Sequence, residues 1–153
     1  MDVQQDNPFQ TPQAELQQAD AGVSQQPLYR IAAIGVGTFL GTPLAGAWML
    51  AHNLQLLGKA HQVAMVWGVA VALFVLTIAS GFVLPEEVPA MPFAIAQLVA
   101  MVMLAKHLSG AEILRHDLAG GAFLSNWRAA GVAILFLIGA VALLFAMLMI
   151  LGF

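Results

Sequence analysis

The side chains of this sequence best equipped for chemistry are four histidines, His52, His61, His107 and His116, with Glu112 and Asp117 close by in the chain. Imidazole and carboxylate are ligands that zinc, iron or manganese accept. Their spacing forms no metal motif: there is no HExxH and no histidine pair at i and i+4. They stand as metal candidates by residue type alone, against the plainer reading of ordinary interfacial histidines in short connections. Cysteine is absent, which excludes disulfides, thiolate metal sites and cysteine nucleophiles. There is no Ser-His-Asp order and no phosphate-binding glycine loop. The sequence therefore predicts no catalytic residue and no cofactor.

The elements that would position these groups follow from composition. Of the 153 residues, 61% are hydrophobic and 8% charged. Soluble domains carry roughly 25% charged residues. A chain so poor in charge cannot cover a water-facing surface, so its solvent is lipid. The net charge of −3, with no basic cluster, gives no footprint for nucleic acid.

Four apolar runs, at about 31–51, 63–84, 91–107 and 129–152, predict an all-α integral membrane protein with a four-helix bundle at 29–153. The third run is long enough only if Lys106 and His107 snorkel to the interface. Pro85 ends the second run and Pro92 suits the first turn of the third helix. Residues 1–28 are rich in glutamine, with Pro8, Pro12 and Pro27 and only acidic charges, and predict a disordered tail. Between the third and fourth spans, Ser109 and Glu112 have capping-box spacing and Gly120-Gly121 is a stop signal. This predicts a short interfacial helix over 110–119, with one long third helix as the alternative.

Helix packing has its own signals. Ala33, Gly37, Gly41 and Ala45 recur every fourth residue on the first helix, and Ala64, Gly68 and Ala72 on the second. Such stripes let helices approach closely in lipid. Packing inside the bundle is the plain reading, and association with a second copy the alternative. Pro43 predicts a kink in the first helix, with Thr38 or Thr42 satisfying the freed carbonyl. Gln97 is the strongly polar side chain deep in a span and is expected to hydrogen-bond across helices. The centres of the runs hold no ionisable residue, which argues against a charge-coupled pump.

With four spans, the loops at 52–62 and 106–128 share one side, with Lys59, Lys106, Arg115 and Arg128. Both termini and Arg30 fall on the other. The positive-inside rule then places the two loops in the cytoplasm and both termini outside. Trp48, Trp67 and Trp127 mark the loop side as an interfacial belt, with Tyr29 as the opposite anchor.

The segment Phe39-Leu40-Gly41-Thr42-Pro43-Leu44-Ala45-Gly46, with Asn53 and Leu57-Gly58, and His116 with Gly120-Gly121, Ser125 and Trp127, carries a resemblance. These residues resemble a family of small, functionally uncharacterised bacterial inner-membrane proteins with a PLAG-type first transmembrane helix. The resemblance implies a bacterial inner membrane and transfers no activity to any residue. The expected role is a structural or accessory part of a membrane complex. A small oligomeric transporter or channel, with Pro43 and Gln97 near its path, is the alternative, and a metal-dependent enzyme at the cytoplasmic face is the second. Expected partners are the bilayer and either further copies of the chain or other membrane proteins.

Overall fold

The computed structural model describes residues 26–83, Pro85 and 87–152. These form five α-helices: α1 (Ile31–Gly41), α2 (Pro43–Leu56), α3 (Val63–Val83), α4 (Met91–Leu118) and α5 (Asn126–Leu151), with a 3-10 turn at Ala60–Gln62 before α3. Helices α3, α4 and α5 are long and apolar enough to cross a membrane.

The first run does not form a span. It breaks at Thr42 into two short helices that fold back on one another. The pairing is antiparallel: Tyr29 meets Asn53, Gly37 lies against Met49, and Thr38 against Gly46. At 1.5 Å per residue, α1 is only about 16 Å long, half of a ~30 Å hydrocarbon core. With α2 at about 21 Å, the pair is a helical hairpin whose two ends lie at the same end of the bundle. Pro43 explains the position of the break. It lacks an N–H and stands at the first turn of α2, where none is needed. Instead of the kink expected at Pro43, the chain reverses. Thr42 takes φ 126 and ψ 165, and its N–H still closes α1 on the Thr38 carbonyl at 3.1 Å. The Thr38 hydroxyl bonds the Ile34 carbonyl at 2.9 Å, not the region of the break.

The hairpin is the core of the fold. Helix α1 packs on α4 and α5, and α2 packs chiefly on α3. Among the described residues the backbone of α5 stays more than 8 Å, Cα to Cα, from those of α3 and α4, and α3 approaches α4 only lightly. The buried cluster reflects this, running from Ile34, Met49, Leu50 and Leu54 of the hairpin to Val66 of α3 and Met101 of α4. The first small-residue stripe packs within the chain: a Cβ at Gly41 would fall 2.6 Å from the Ala133 Cα of α5. The second does not. Ala64, Gly68 and Ala72 are exposed, and a Cβ at Gly68 would meet nothing. Val66 and Ala70 are the residues of α3 that are buried.

Two other expectations are corrected. No separate interfacial helix forms over 110–119, because α4 runs unbroken to Leu118. The Ser109 hydroxyl bonds the Ala105 carbonyl of its own helix at 2.9 Å instead of capping a new one. The stop does fall at Gly120-Gly121: Gly120 has φ 73, and the Gly121 N–H reaches the His116 carbonyl at 2.8 Å. At about 42 Å, α4 is longer than a ~30 Å hydrocarbon core, and its charged residues Glu112, Arg115 and Asp117 fall in its last turns. The tail expected at 1–28 lies outside the described residues up to position 25. Its end belongs to the fold, since Leu28 is fully buried and bridges Phe123.

Candidate functional site

Residues 28–30 are laid between the end of α2 and the 119–125 connection. The Leu28 N–H bonds the Ala122 carbonyl at 3.2 Å, and the Leu124 N–H bonds the Leu28 carbonyl at 2.9 Å. The Asn53 amide grips the next residue twice. Its Oδ1 accepts from the Tyr29 N–H and its Nδ2 donates to the Tyr29 carbonyl, each at 2.8 Å. Tyr29 is therefore not an anchor on the opposite side. It is fully buried, with its ring edge-on to Trp48 and His52.

This arrangement moves Arg30 to the end that holds the 52–62 and 106–128 segments. The N-terminal segment enters there, not opposite as four spans require. Arg30 pairs with Asp117 at 3.4 Å and lies over the Phe123 ring at 4.0 Å. Lys59 bridges to α4, donating to the Leu108 carbonyl at 2.7 Å and to Glu112 at 2.8 Å. That hydrogen bond from Lys59 holds the Glu112 carboxyl, in the projecting turns of α4, below its usual range against the opposing effect of partial burial. All five cationic side chains of the protein, Arg30, Lys59, Lys106, Arg115 and Arg128, thus belong to one end.

The four histidines share that end without converging. His116 is buried, with Nε2 2.8 Å from the Ala122 carbonyl, and its ring covers Gly121, where a Cβ would collide with it. His52 stacks on Trp48, while His61 and His107 are exposed. Among the described residues no three histidine or acidic side chains come close enough to hold a metal ion. His116 acts as a brace for the loop that receives Leu28.

At the other end of the hairpin lies the reversal at Thr42. Its hydroxyl is buried without a partner. Below it α3 and α5 stay apart, since no hairpin remains to fill the space between them. A recess of ≈ 400 Å³ is left there, walled by Thr42, Phe74, Ile78, Leu137, Val141 and Leu144. Gln97 of α4 donates to the Thr77 hydroxyl of α3, with the Leu73 carbonyl 3.5 Å away, so it ties these two helices on the recess side of the molecule.

Sequence reasoning missed the roles of Asn53, Lys59 and Thr42. Asn53 carried a signal, as a carboxamide within the 31–57 apolar stretch that no helix-packing stripe explains. No protein-family model matches the chain, and no curated protein or solved structure does so either.

Proposed function

We propose that the protein is a multi-pass bacterial inner-membrane protein that serves as a structural or accessory component of a membrane complex. The observation that carries this reading is the helical hairpin. It fills the cationic half of the bundle with apolar side chains, and the centres of the apolar runs hold no ionisable group. A charge-coupled path through one chain has nothing to run on. What remains is a rigid body with free helix faces, among them Ala64, Gly68 and Ala72, which another membrane helix can approach closely. With all five cations at one end, the positive-inside rule puts that end in the cytoplasm. The N-terminal segment, 57–62 and 119–125 are then cytoplasmic, and 85–90 and the C-terminal end of α5 lie outside.

The test exploits the absence of cysteine. Gln26→Cys and His61→Cys should be labelled from the cytoplasmic side and Val88→Cys from the other. A photo-crosslinking residue at position 68 should yield an adduct with another polypeptide in native membranes. Labelling of Gln26→Cys from the outside, or adducts with lipid alone, would overturn the reading. A second reading, a small oligomeric transporter, draws on the unwound Thr42-Pro43 backbone, a feature that recurs where substrates bind. Solute flux into liposomes carrying the pure protein, abolished by Thr42→Leu, would favour it.

A further inference from the structure

We infer that the recess beneath the hairpin is a binding slot for the acyl chain of a lipid from the leaflet opposite the cationic end, and that it prefers a zwitterionic or neutral headgroup to an anionic one. The depth argument comes first. The two arms of the hairpin are about 16 and 21 Å long, so of a ~30 Å hydrocarbon core roughly 10–15 Å is left below its tip. Helices α3 and α5 are held apart above by the hairpin and do not close below it. The recess of ≈ 400 Å³ falls in the size range of ligand pockets. A neighbouring apolar hollow of ≈ 340 Å³ shares Phe74 and Ala140 with it. Leu137, Val141 and Phe82 on its walls remain exposed, so the slot is open sideways to lipid.

Polarity along the slot matches an amphiphile. Under Thr42 the walls are almost wholly hydrocarbon. Thr77 and Gly81 also line a second cavity, of ≈ 210 Å³, which continues toward the far interface past Ser80, Pro85 and Ala90. The Thr77 and Ser80 hydroxyls donate to carbonyls of their own helix; Thr77 already accepts from Gln97, and the Ser80 oxygen keeps lone pairs for an incoming donor. The apolar end therefore lies deep and the polar end lies at the membrane surface. That surface carries Glu87 and, with every lysine and arginine at the opposite end, no cation. A phosphatidylglycerol headgroup finds no partner there, whereas the ammonium of phosphatidylethanolamine does.

Two glycines make the slot testable without damage to the fold. A Cβ at Gly81 or at Gly139 meets no atom within 4 Å. The full-length protein is reconstituted in vesicles containing phosphatidylethanolamine or phosphatidylglycerol with a diazirine near the chain terminus. After irradiation the adducts are mapped and retained lipid is measured after detergent exchange. Adducts are expected at 74–82 and 137–144, with phosphatidylethanolamine retained over phosphatidylglycerol. Gly81→Phe should remove most of both signals with an unchanged thermal transition, whereas Gly68→Phe, equally open but on the outer face, should remove neither. Equal adducts in Gly81→Phe, equal retention of the two lipids, or a crosslink from Ala140 to another polypeptide in native membranes would overturn the assignment.

Discussion

The side chain of Asn53 holds both backbone polar groups of Tyr29, one residue closing the hairpin at its base and the other carrying the incoming chain. Both residues are fully buried, so these groups have no water to fall back on. A buried donor or acceptor left alone costs ~1–3 kcal/mol. Asn53→Leu should therefore destabilise the protein by about 2 kcal/mol or more by this reckoning, measured by thermal unfolding in detergent. Asn53→Asp, which keeps an acceptor for the Tyr29 N–H but sets a carboxylate oxygen against the Tyr29 carbonyl in a fully buried site, should cost at least as much at neutral pH. Equal stability of Asn53→Leu and the parent would show that the base of the hairpin is held by other contacts.

Gly41 and Gly68 give opposite expectations although each stands in a small-residue stripe. A side chain at Gly41 runs into the backbone of Ala133, with the carbonyl oxygen 2.5 Å from the new Cβ. Neither helix can yield by rotating a side chain. Gly41→Leu should cost ~1–3 kcal/mol and exceed Leu40→Ala, which trims an exposed residue. Gly68→Leu should leave thermal stability unchanged. The losses should occur without any change of oligomeric state, since the Gly41 contact lies within one chain.

Thr42 is the sole residue other than glycine with positive φ among the described residues. Its backbone region is one that glycine alone occupies at low cost, and strain there is worth ~1–3 kcal/mol. Thr42→Gly should raise the unfolding temperature, offset partly by the greater freedom of glycine in the unfolded chain. A fall in stability would mean that the threonine side chain contributes packing greater than the strain it imposes.

The Lys59–Glu112 pair gives a pH dependence with a definite sign. The folded state depresses the Glu112 pKa, so it binds the proton less readily than the unfolded chain. The contribution is fully present above the ordinary glutamate value of ~4.3 and is lost as pH falls through the lowered folded value. Lys59→Met should cost about 1 kcal/mol at neutral pH from the ion pair. The gap from the parent should narrow on acidification below that range. It should not vanish, because Lys59 also bonds the Leu108 carbonyl, which does not titrate. A gap that widens in acid would refute the assignment.

The sequence by itself determined the helical class, the presence of helices long and apolar enough to cross a membrane, and several boundaries. Long uncharged runs can satisfy their backbone in lipid only as helices or closed barrels, and the lengths of α3 and α5 follow from those runs. The end of α4 at Gly120-Gly121 was legible because a left-handed residue there needs glycine. Tertiary structure alone decided whether 31–56 crosses the membrane or turns back. Hydropathy measures how apolar a segment is, not its direction, and a full crossing and two half-crossings have the same composition. The decision rests on contacts far apart in sequence: Asn53 with Tyr29, Gly41 with Ala133 and Leu28 with the 122–124 backbone. The side of Arg30 and the position of the N-terminal segment depended on it, because each crossing added or removed exchanges the ends of the molecule. The recess under Thr42 was hidden for the same reason, since it is the space that a hairpin shorter than α3 and α5 leaves unfilled.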